Sequence, residues 1–278
     1  GSEGTLGIIT EIELKLLKTP KTIYGMNVFF TSEEPALKFV RKIRENSSPA
    51  AIEFFNYNSL NLLRNMKENY EGFDKLSELS PHFHSAVYVE YHGNSEDEVM
   101  DMVMECCDII EECGGDPSDT WLSTNSQSNE ALKYFRHATP EAVNTLIDER
   151  RRTVPELTKL GTDMAVPDSK LEEVMELYNS SLEKLGFDSV IFGHIGNNHL
   201  HVNIIPKNME EYNKGKELYS LWSEKIIALG GTISAEHGVG KLKTNLLQKM
   251  FSTKGIEEMM ALKKLFDPEN RLNKGNLF

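Results

Sequence analysis

The most informative stretch of this sequence is Ser189-Val-Ile-Phe-Gly-His194-Ile-Gly-Asn-Asn-His199-Leu-His-Val-Asn-Ile-Ile205. Two strand-like segments, Ser189 to His194 and His199 to Ile205, flank a turn rich in glycine and asparagine, which predicts a β-hairpin. Strand side chains point alternately to the two faces of a sheet. The hairpin therefore has one apolar face for a core, formed by Leu200, Val202 and Ile204, and one polar face, formed by His199, His201 and Asn203.

Outward from the hairpin, strands and helices alternate. An extended segment from Lys159 to Val166 and a helix from Ser169 to Leu185 precede it, and a helix from Met209 to Leu229 and a strand from Thr232 to Ala235 follow it. This β-α-β-β-α-β order is typical of ferredoxin-like units, and the first half of the chain fits the same plan more loosely. We predict an α+β fold of two fused ferredoxin-like units, with a mostly antiparallel sheet, helices on one face and a helical C-terminal tail.

The predicted domain boundaries follow this order. The two units occupy about 19–125 and 155–240, and together they form one domain over 19–240. Residues 1–18 contain a glycine-rich turn and a predicted strand from Ile8 to Leu17, and residues 241–278 form the tail. The chain opens on Gly1-Ser2 without an initiator methionine, which fits both a cloning remnant and native sequence. The abrupt start suggests that a partner domain precedes this chain.

Composition excludes several classes of protein. The 278 residues include 30 Lys+Arg and 43 Asp+Glu, and the net charge of −13 argues against a nucleic-acid partner. No apolar run approaches the roughly 20 residues of a membrane span. The three cysteines lie in one predicted helix, Cys106, Cys107 and Cys113. They make a poor disulfide framework, so we expect a reducing, cytoplasmic location.

Two segments concentrate groups that could carry chemistry. Two or three imidazoles that converge at the hairpin predict a divalent metal site, and the alternative is a polar hairpin tip with incidental histidines. The segment from Ser234 to Lys241 contains Glu236, which could complete a His/His/Glu set, and His237, which could move a proton. The alternative there is a glycine-rich turn whose glutamate caps a helix.

Two weaker signals concern anions. Gly1 to Gly7 offers backbone N–H groups that suit an anionic ligand. Arg136 ends one predicted helix, and a second helix is predicted to begin at Pro140. A bidentate Arg136 could hold a carboxylate, and the alternative is an ordinary surface arginine at a helix end.

These residues resemble a known family. The segment from Ser2 to Thr10 is similar to the motif that closes the FAD-binding domain of vanillyl-alcohol-oxidase-type flavoproteins. The rest resembles the C-terminal, substrate-side domain of their FAD-linked oxidase branch, which includes D-lactate dehydrogenase, the glycolate oxidase FAD subunit and D-2-hydroxyglutarate dehydrogenase. The resemblance extends to the ending from Phe266 to Asn276, and it rests most on His194-x6-His201 and Ser234-x-Glu236-His237-Gly238.

The resemblance implies a role for each matched position. The implied metal ligands are His194, His201 and Glu236, with zinc expected first. His237 matches the general base, and the substrate-binding residues are Arg136 and Asn203. The implied FAD contacts are Ser2, Glu3, Gly4 and Gly7. Two positions depart from the family pattern: His199 is an extra imidazole, and Pro140 stands where D-2-hydroxyglutarate dehydrogenases carry a small polar residue.

The implied protein is an FAD-dependent D-2-hydroxy-acid dehydrogenase of the D-lactate or glycolate type. Its other partners would be a small 2-hydroxy acid and an electron acceptor, either a protein or a quinone, and a homodimer stays open. We expect the tail to pack toward the FAD domain. We also expect the isolated chain to be inactive, because most flavin contacts would lie upstream. The alternative is a flavin-less metal-binding module that docks onto another protein.

Overall fold

The computed structural model describes all residues from 1 to 278. Eight strands form one antiparallel sheet: β1 Thr22–Phe30, β2 Ala51–Phe55, β3 Ser85–Gly93, β4 Thr120–Ser123, β5 Leu160–Gly161, β6 Met164–Ala165, β7 Ser189–Gly193 and β8 His199–Ile204. The helices number seven: α1 Glu33–Asn46, α2 Tyr57–Asn69, α3 Glu96–Glu112, α4 Ser126–Arg151, α5 Leu171–Leu185, α6 Met209–Ala228 and α7 Thr244–Phe266. None of the helices has the length and apolar character needed to cross a lipid bilayer.

The strand order confirms the predicted fold class. The first unit has the order β4-β1-β3-β2, which is that of a ferredoxin-like sheet. The second unit follows the same plan, with β7, β8 and the divided strand β5/β6 side by side and Thr232 bridged to Ala165. β2 pairs with β7, so the two units share one continuous sheet.

The helices cover both faces of the sheet, which corrects the prediction that they lie on one. One face carries α1, α3, α5 and α6 over a core of 35 buried residues. α2 and α4 pack on the opposite face, over a second core of 15 buried residues. The physical reason is that β1, β2 and β3 are apolar on both sides: Phe29, Phe55 and Ala86 need cover as much as Val28, Phe54 and Val87 do.

Three local predictions also need correction. Ile8 to Leu17 forms no strand and is exposed, because no strand of this chain lies beside it to take its hydrogen bonds. The predicted strand from Thr232 to Ala235 is only a single β-bridge between Thr232 and Ala165. Pro140 does not begin a helix but lies inside α4. Proline removes only one helical hydrogen bond, and buried Phe135 and Val143 anchor α4 on either side of it.

Other predicted elements are confirmed. α3 ends before Gly114, which adopts a positive φ of 85° as helix-stopping glycines do. The tail is helical until Asp267, as expected, with a break in α7 at Ser252. All three cysteines are free thiols.

Candidate metal and substrate site

The hairpin of β7 and β8 presents its imidazoles as the alternation predicts. The apolar side chains of β8 are buried in the larger core: Leu200, Val202 and Ile204. The intervening side chains point to the opposite face: His199, His201 and Asn203. A single 3-10 turn at Ile195–Asn197 and Asn198 in the left-handed region (φ 53°) close the hairpin.

Gly193 lets the two strands of the hairpin approach closely at the site. Its φ is 122°, and a Cβ at this position would lie 2.7 Å from Cδ2 of His201. Any other residue would be strained and would displace the imidazole. The glycine therefore determines where the His201 ring can lie.

Four side chains converge beyond this point, namely His194, His199, His201 and Glu236, and their ligating atoms all lie within 4.8 Å of one another. Glu236 Oε1 is 3.4 Å from His194 Nε2 and 3.3 Å from His201 Nε2. Imidazole nitrogens with one carboxylate suit zinc and related divalent ions. The structure thus brings together the three ligands that the resemblance implies.

His199 joins the same cluster. Its ring is buried, and its Nε2 makes no hydrogen bond, although Asp163 Oδ1 lies 3.1 Å away. Buried polar nitrogens are rarely left unpaired, and a cation in the cluster would satisfy this one. The donor set and this unpaired nitrogen both fit a divalent metal ion.

Two outer contacts orient the imidazoles. His201 Nδ1 lies 3.2 Å from the carbonyl oxygen of Thr162, and His194 Nδ1 lies 2.9 Å from Glu53 Oε1. Both partners accept hydrogen bonds, so in each ring Nδ1 donates, and Nε2 keeps its lone pair when the ring is neutral. Those Nε2 atoms are the ones that face Glu236, which is the arrangement that a metal ligand needs.

Asp163 anchors the loop that carries Glu236 and His237. Its side chain is 1 % exposed and lies between β5 and β6. The carboxylate accepts from the backbone N–H groups of both residues, each at 3.1 Å, from Ser234 Oγ at 2.6 Å and from Lys243 Nζ at 2.9 Å. A single buried carboxylate therefore holds the loop against the hairpin.

The electrostatics keep the buried rings neutral. Burial lowers the pKa of His201 and of His199, and the neighbouring imidazoles lower both further. The hydrogen bond to Glu53 raises the pKa of His194. Burial alone would raise the pKa of Asp163, but the hydrogen bonds from Ser234, Lys243 and the backbone outweigh it, so the pKa lies well below its usual range. At neutral pH the two buried imidazoles offer lone pairs, and Asp163 is ionised.

A cavity of about 460 Å³ opens beside the cluster. Among the residues that line it are the predicted substrate and base residues, Arg136, Asn203 and His237. His237 is 58 % exposed and stacks on His201 with ring centroids 5.3 Å apart. Arg136 reaches in from α4, where it forms an ion pair with buried Glu53 and lies over the Tyr88 ring. Arg136 is thus not the ordinary surface arginine at a helix end of the alternative interpretation, because it lies within α4 and pairs with a buried carboxylate.

The glycine-rich N-terminal turn lies against the same loop. The Glu3 carboxylate accepts the N–H groups of Val239 at 2.7 Å and Gly240 at 2.8 Å. That carboxylate is therefore occupied within the chain, while Gly7 borders open space. A flavin role for Ser2, Glu3, Gly4 and Gly7 stays a prediction.

The sequence interpretation missed Asp163 and Glu53. Each is the only acid in its predicted strand segment, Lys159 to Val166 and Ala50 to Phe55, and both are buried. A charge in a buried strand needs a partner, and this signal could have marked them. Their partners, in contrast, lie more than 70 positions away in sequence, and no local pattern predicts them.

The fold and the site define a class: an α+β domain of two ferredoxin-like units that places a candidate metal cluster beside a cavity with an arginine. The family described as FAD linked oxidases, C-terminal domain, matches residues 19–277, and this chain belongs to it.

Relatives of known name match the full length of the chain. The chain is 30% identical over 281 residues to the glycolate oxidase subunit GlcD of Bacillus subtilis, covering 56% of that protein. It is 27% identical to a D-lactate dehydrogenase of Anaerostipes hadrus and 25% identical to a D-2-hydroxyglutarate dehydrogenase of Stutzerimonas stutzeri, covering 56% and 57% of them. The chain thus spans about half the length of the curated relatives it matches.

Solved structures share the fold at lower identity. A 4-ethylphenol oxidase from Gulosibacter chungangensis matches 95% of this chain and 55% of its own, with a TM-score of 0.62 and 16% identity. An alkyldihydroxyacetonephosphate synthase matches 98% of this chain and 48% of its own, with a TM-score of 0.58 and 16% identity. These likenesses support the fold alone.

Proposed function

We propose that this chain is the substrate-side domain of an FAD-dependent dehydrogenase that oxidises a short D-2-hydroxy acid, D-lactate or glycolate, to the 2-oxo acid. One observation carries the proposal. Two imidazoles of the cluster, His194 and His201, line the same cavity as Arg136 and His237. A 2-hydroxy acid needs those two kinds of group together, one for its hydroxyl and one for its carboxylate.

Arg136 is the carboxylate-binding group in this proposal. A guanidinium presents several N–H donors in a plane and matches a carboxylate with two parallel hydrogen bonds. Glu53 holds one Nη of Arg136, which fixes the direction of the remaining donors. Asn203 on β8 lines the same cavity and helps to orient the substrate. Fixing the carboxylate aligns the substrate Cα and contributes to the rate through positioning.

His237 is the general base. Its ring lies at the cavity wall, and the hydrogen bond from its backbone N–H to Asp163 fixes the position of the residue. Nε2 of His237 lies 3.4 Å from Glu236 Oε1, so the base sits next to the proposed ligand set. It accepts the hydroxyl proton as the C–H bond of the substrate breaks.

Two bound groups complete this chemistry. A divalent ion held by His194, His201 and Glu236, with zinc favoured, lowers the pKa of the substrate hydroxyl when bound. FAD, when bound, is the two-electron acceptor, and a protein or a quinone reoxidises it.

We propose that the chain has the three parts that the sequence predicts. Residues 1–18 close an FAD-binding domain, residues 19–240 bind the substrate, and residues 241–278 pack toward the flavin side. Exposed apolar side chains support this division at both ends: Ile8, Ile9 and Leu17 near the start, and Leu265 and Phe266 in α7. Such surface is costly in water and favours cover by another domain.

The experiment is turnover of a panel of D-2-hydroxy acids by the full-length protein with an artificial electron acceptor. We expect D-lactate or glycolate to turn over faster than D-2-hydroxyglutarate. His237→Asn should retain metal and flavin and lose turnover by on the order of 10²–10⁴-fold, which is the range for one general base.

His82→Asn is the matched control, because this side chain is 55 % exposed and lies outside the cavity. It should turn over like the wild type. A full-length protein that binds metal but no flavin would refute the oxidoreductase and favour the docking module. Loss of metal in His237→Asn would make His237 a ligand rather than the base.

A further inference from the structure

Glu53 is a buried carboxylate that neither the metal cluster nor the proposed reaction uses directly. It is the one charged residue of β2, and its side chain is 5 % exposed. Ionised carboxylates are costly to bury unless they are paired and hydrogen-bonded. The contacts of Glu53 must therefore account for its place in the sheet.

Both contacts fall on the same oxygen. Glu53 Oε1 accepts from Nη2 of Arg136, and it lies 2.9 Å from Nδ1 of His194. Arg136 comes from α4, whereas His194 follows β7. The proposed carboxylate-binding residue and a proposed metal ligand thus meet at one atom.

Sharing one oxygen makes the two contacts interdependent. When Arg136 also binds a substrate carboxylate, its ion pair with Glu53 Oε1 weakens. That oxygen then accepts a stronger hydrogen bond from the His194 N–H. A stronger acceptor at Nδ1 makes the opposite nitrogen of the ring a better metal donor. By linkage, a metal ion in the cluster then favours the carboxylate by the same factor.

We propose that Glu53 is a positioning residue that couples metal binding at His194 to carboxylate binding at Arg136. The inference rests on the proposed function for the roles of those two residues. It goes beyond that function in predicting that the two binding events are cooperative within this chain, without flavin.

The test is titration of the 278-residue chain with Co²⁺, read by absorbance and by calorimetry. Glu53→Gln keeps the shape and loses the charge, and we expect it to weaken Co²⁺ binding by about 10–100-fold, the usual effect of losing an outer partner of a ligand. Arg136→Met removes a positive charge beside the cluster, so we expect it to bind Co²⁺ more tightly than the wild type. If the pair of Glu53 and Arg136 only stabilised the fold, both variants would bind Co²⁺ more weakly than the wild type.

Two further variants keep the result interpretable. Glu53→Gln combined with Arg136→Met leaves neither buried charge unpaired, so it should fold even where Glu53→Gln alone does not, and it should still bind Co²⁺ weakly. Glu33→Gln changes a partly buried carboxylate that bonds Asn179 instead. It should bind Co²⁺ like the wild type.

Propionate tests the coupling itself, because it offers a carboxylate without a 2-hydroxyl group. We expect saturating propionate to tighten Co²⁺ binding about 5-fold in the wild type, at the lower end of measured couplings, and clearly less in Glu53→Gln, where only the direct attraction between the carboxylate and the ion remains. Equal Co²⁺ affinity in wild type and Glu53→Gln, or an equal propionate effect in the two proteins, would overturn the inference alone. A wild-type chain that binds no Co²⁺ would overturn both the inference and the proposed metal site.

Discussion

The two ferredoxin-like units follow one plan but differ in how completely their strands pair. In the first unit, nine-residue β1 pairs with β3 along its whole length and with β4 over four residues. In the second unit the equivalent strand is divided into β5 and β6, each of two residues, and the fourth strand is a single bridge. The side chains of the candidate metal cluster all come from the second unit.

The division of the strand is what equips the second unit for chemistry. The two residues between β5 and β6 are Thr162 and Asp163. The carbonyl of Thr162 orients His201, and the carboxylate of Asp163 holds the loop with Glu236 and His237. In a continuous strand the carbonyl of Thr162 would instead accept a hydrogen bond from the neighbouring strand. One unit thus supplies regular structure, while the other has less strand pairing and positions the side chains of the candidate site.

Replacing Asp163 should have the largest effect on the stability of the second unit. Asp163→Asn leaves Lys243 without its buried partner and weakens the hold on the loop, so we expect a loss of about 3 kcal/mol in the free energy of unfolding. Urea denaturation measures it. The control is Asp168→Asn, where the side chain is 76 % exposed and the cost should stay below about 1 kcal/mol. Equal costs would contradict an anchoring role for Asp163.

Acid should loosen the second unit before the first. The pKa of Asp163 is lower in the folded chain than in the unfolded one, where it is near the ordinary value of about 3.9. Its contribution to stability is therefore complete above that value and is lost as the pH falls below it.

Amide hydrogen exchange measures this loss. Between pH 6 and pH 3, after correction for intrinsic rates, the amides of Glu236 and His237 should lose protection relative to those of β1. The protection of these two amides in Asp163→Asn should be low at both pH values. A parallel loss in both units of the wild type would argue against the assignment.

The smallest expected effect concerns the first unit. Asn27 on β1 is fully buried, and neither atom of its amide group has a hydrogen-bond partner in the protein. We expect Asn27→Val to be neutral or to stabilise the chain by up to about 1 kcal/mol. Asn56 is the matched control, because its Oδ1 accepts from the N–H groups of Ser59 and Ile191. Asn56→Val should cost about 2 kcal/mol, and thermal unfolding of both variants decides.

The features that could be predicted from the sequence are those that depend on local periodicity. The hairpin, its two faces and the ferredoxin-like order all follow from alternation and turn residues, and the structure confirms them. The convergence of the proposed ligands His194, His201 and Glu236 could be predicted, because two of them lie close together in the chain and all three match a family motif.

The features that the sequence analysis missed or predicted wrongly depend on residues far away in the sequence. The role of Asp163 is defined by a loop more than 70 residues away, and that of Glu53 by α4 and the end of β7. Pro140 reads as a helix boundary, yet buried residues on both sides of it keep α4 continuous. Ile8 to Leu17 alternates like a strand, but strand structure also needs a neighbour to pair with.

We propose that the second unit binds one divalent metal ion and that the first unit binds none. The direct measurement is elemental analysis of the purified chain beside His201→Ala, Glu236→Gln and His92→Ala, the last in β3 of the first unit. We predict one metal ion per chain, zinc first, in the wild type and in His92→Ala, and loss of it in the other two, because each removes a donor. Equal metal content in all four proteins would contradict the account.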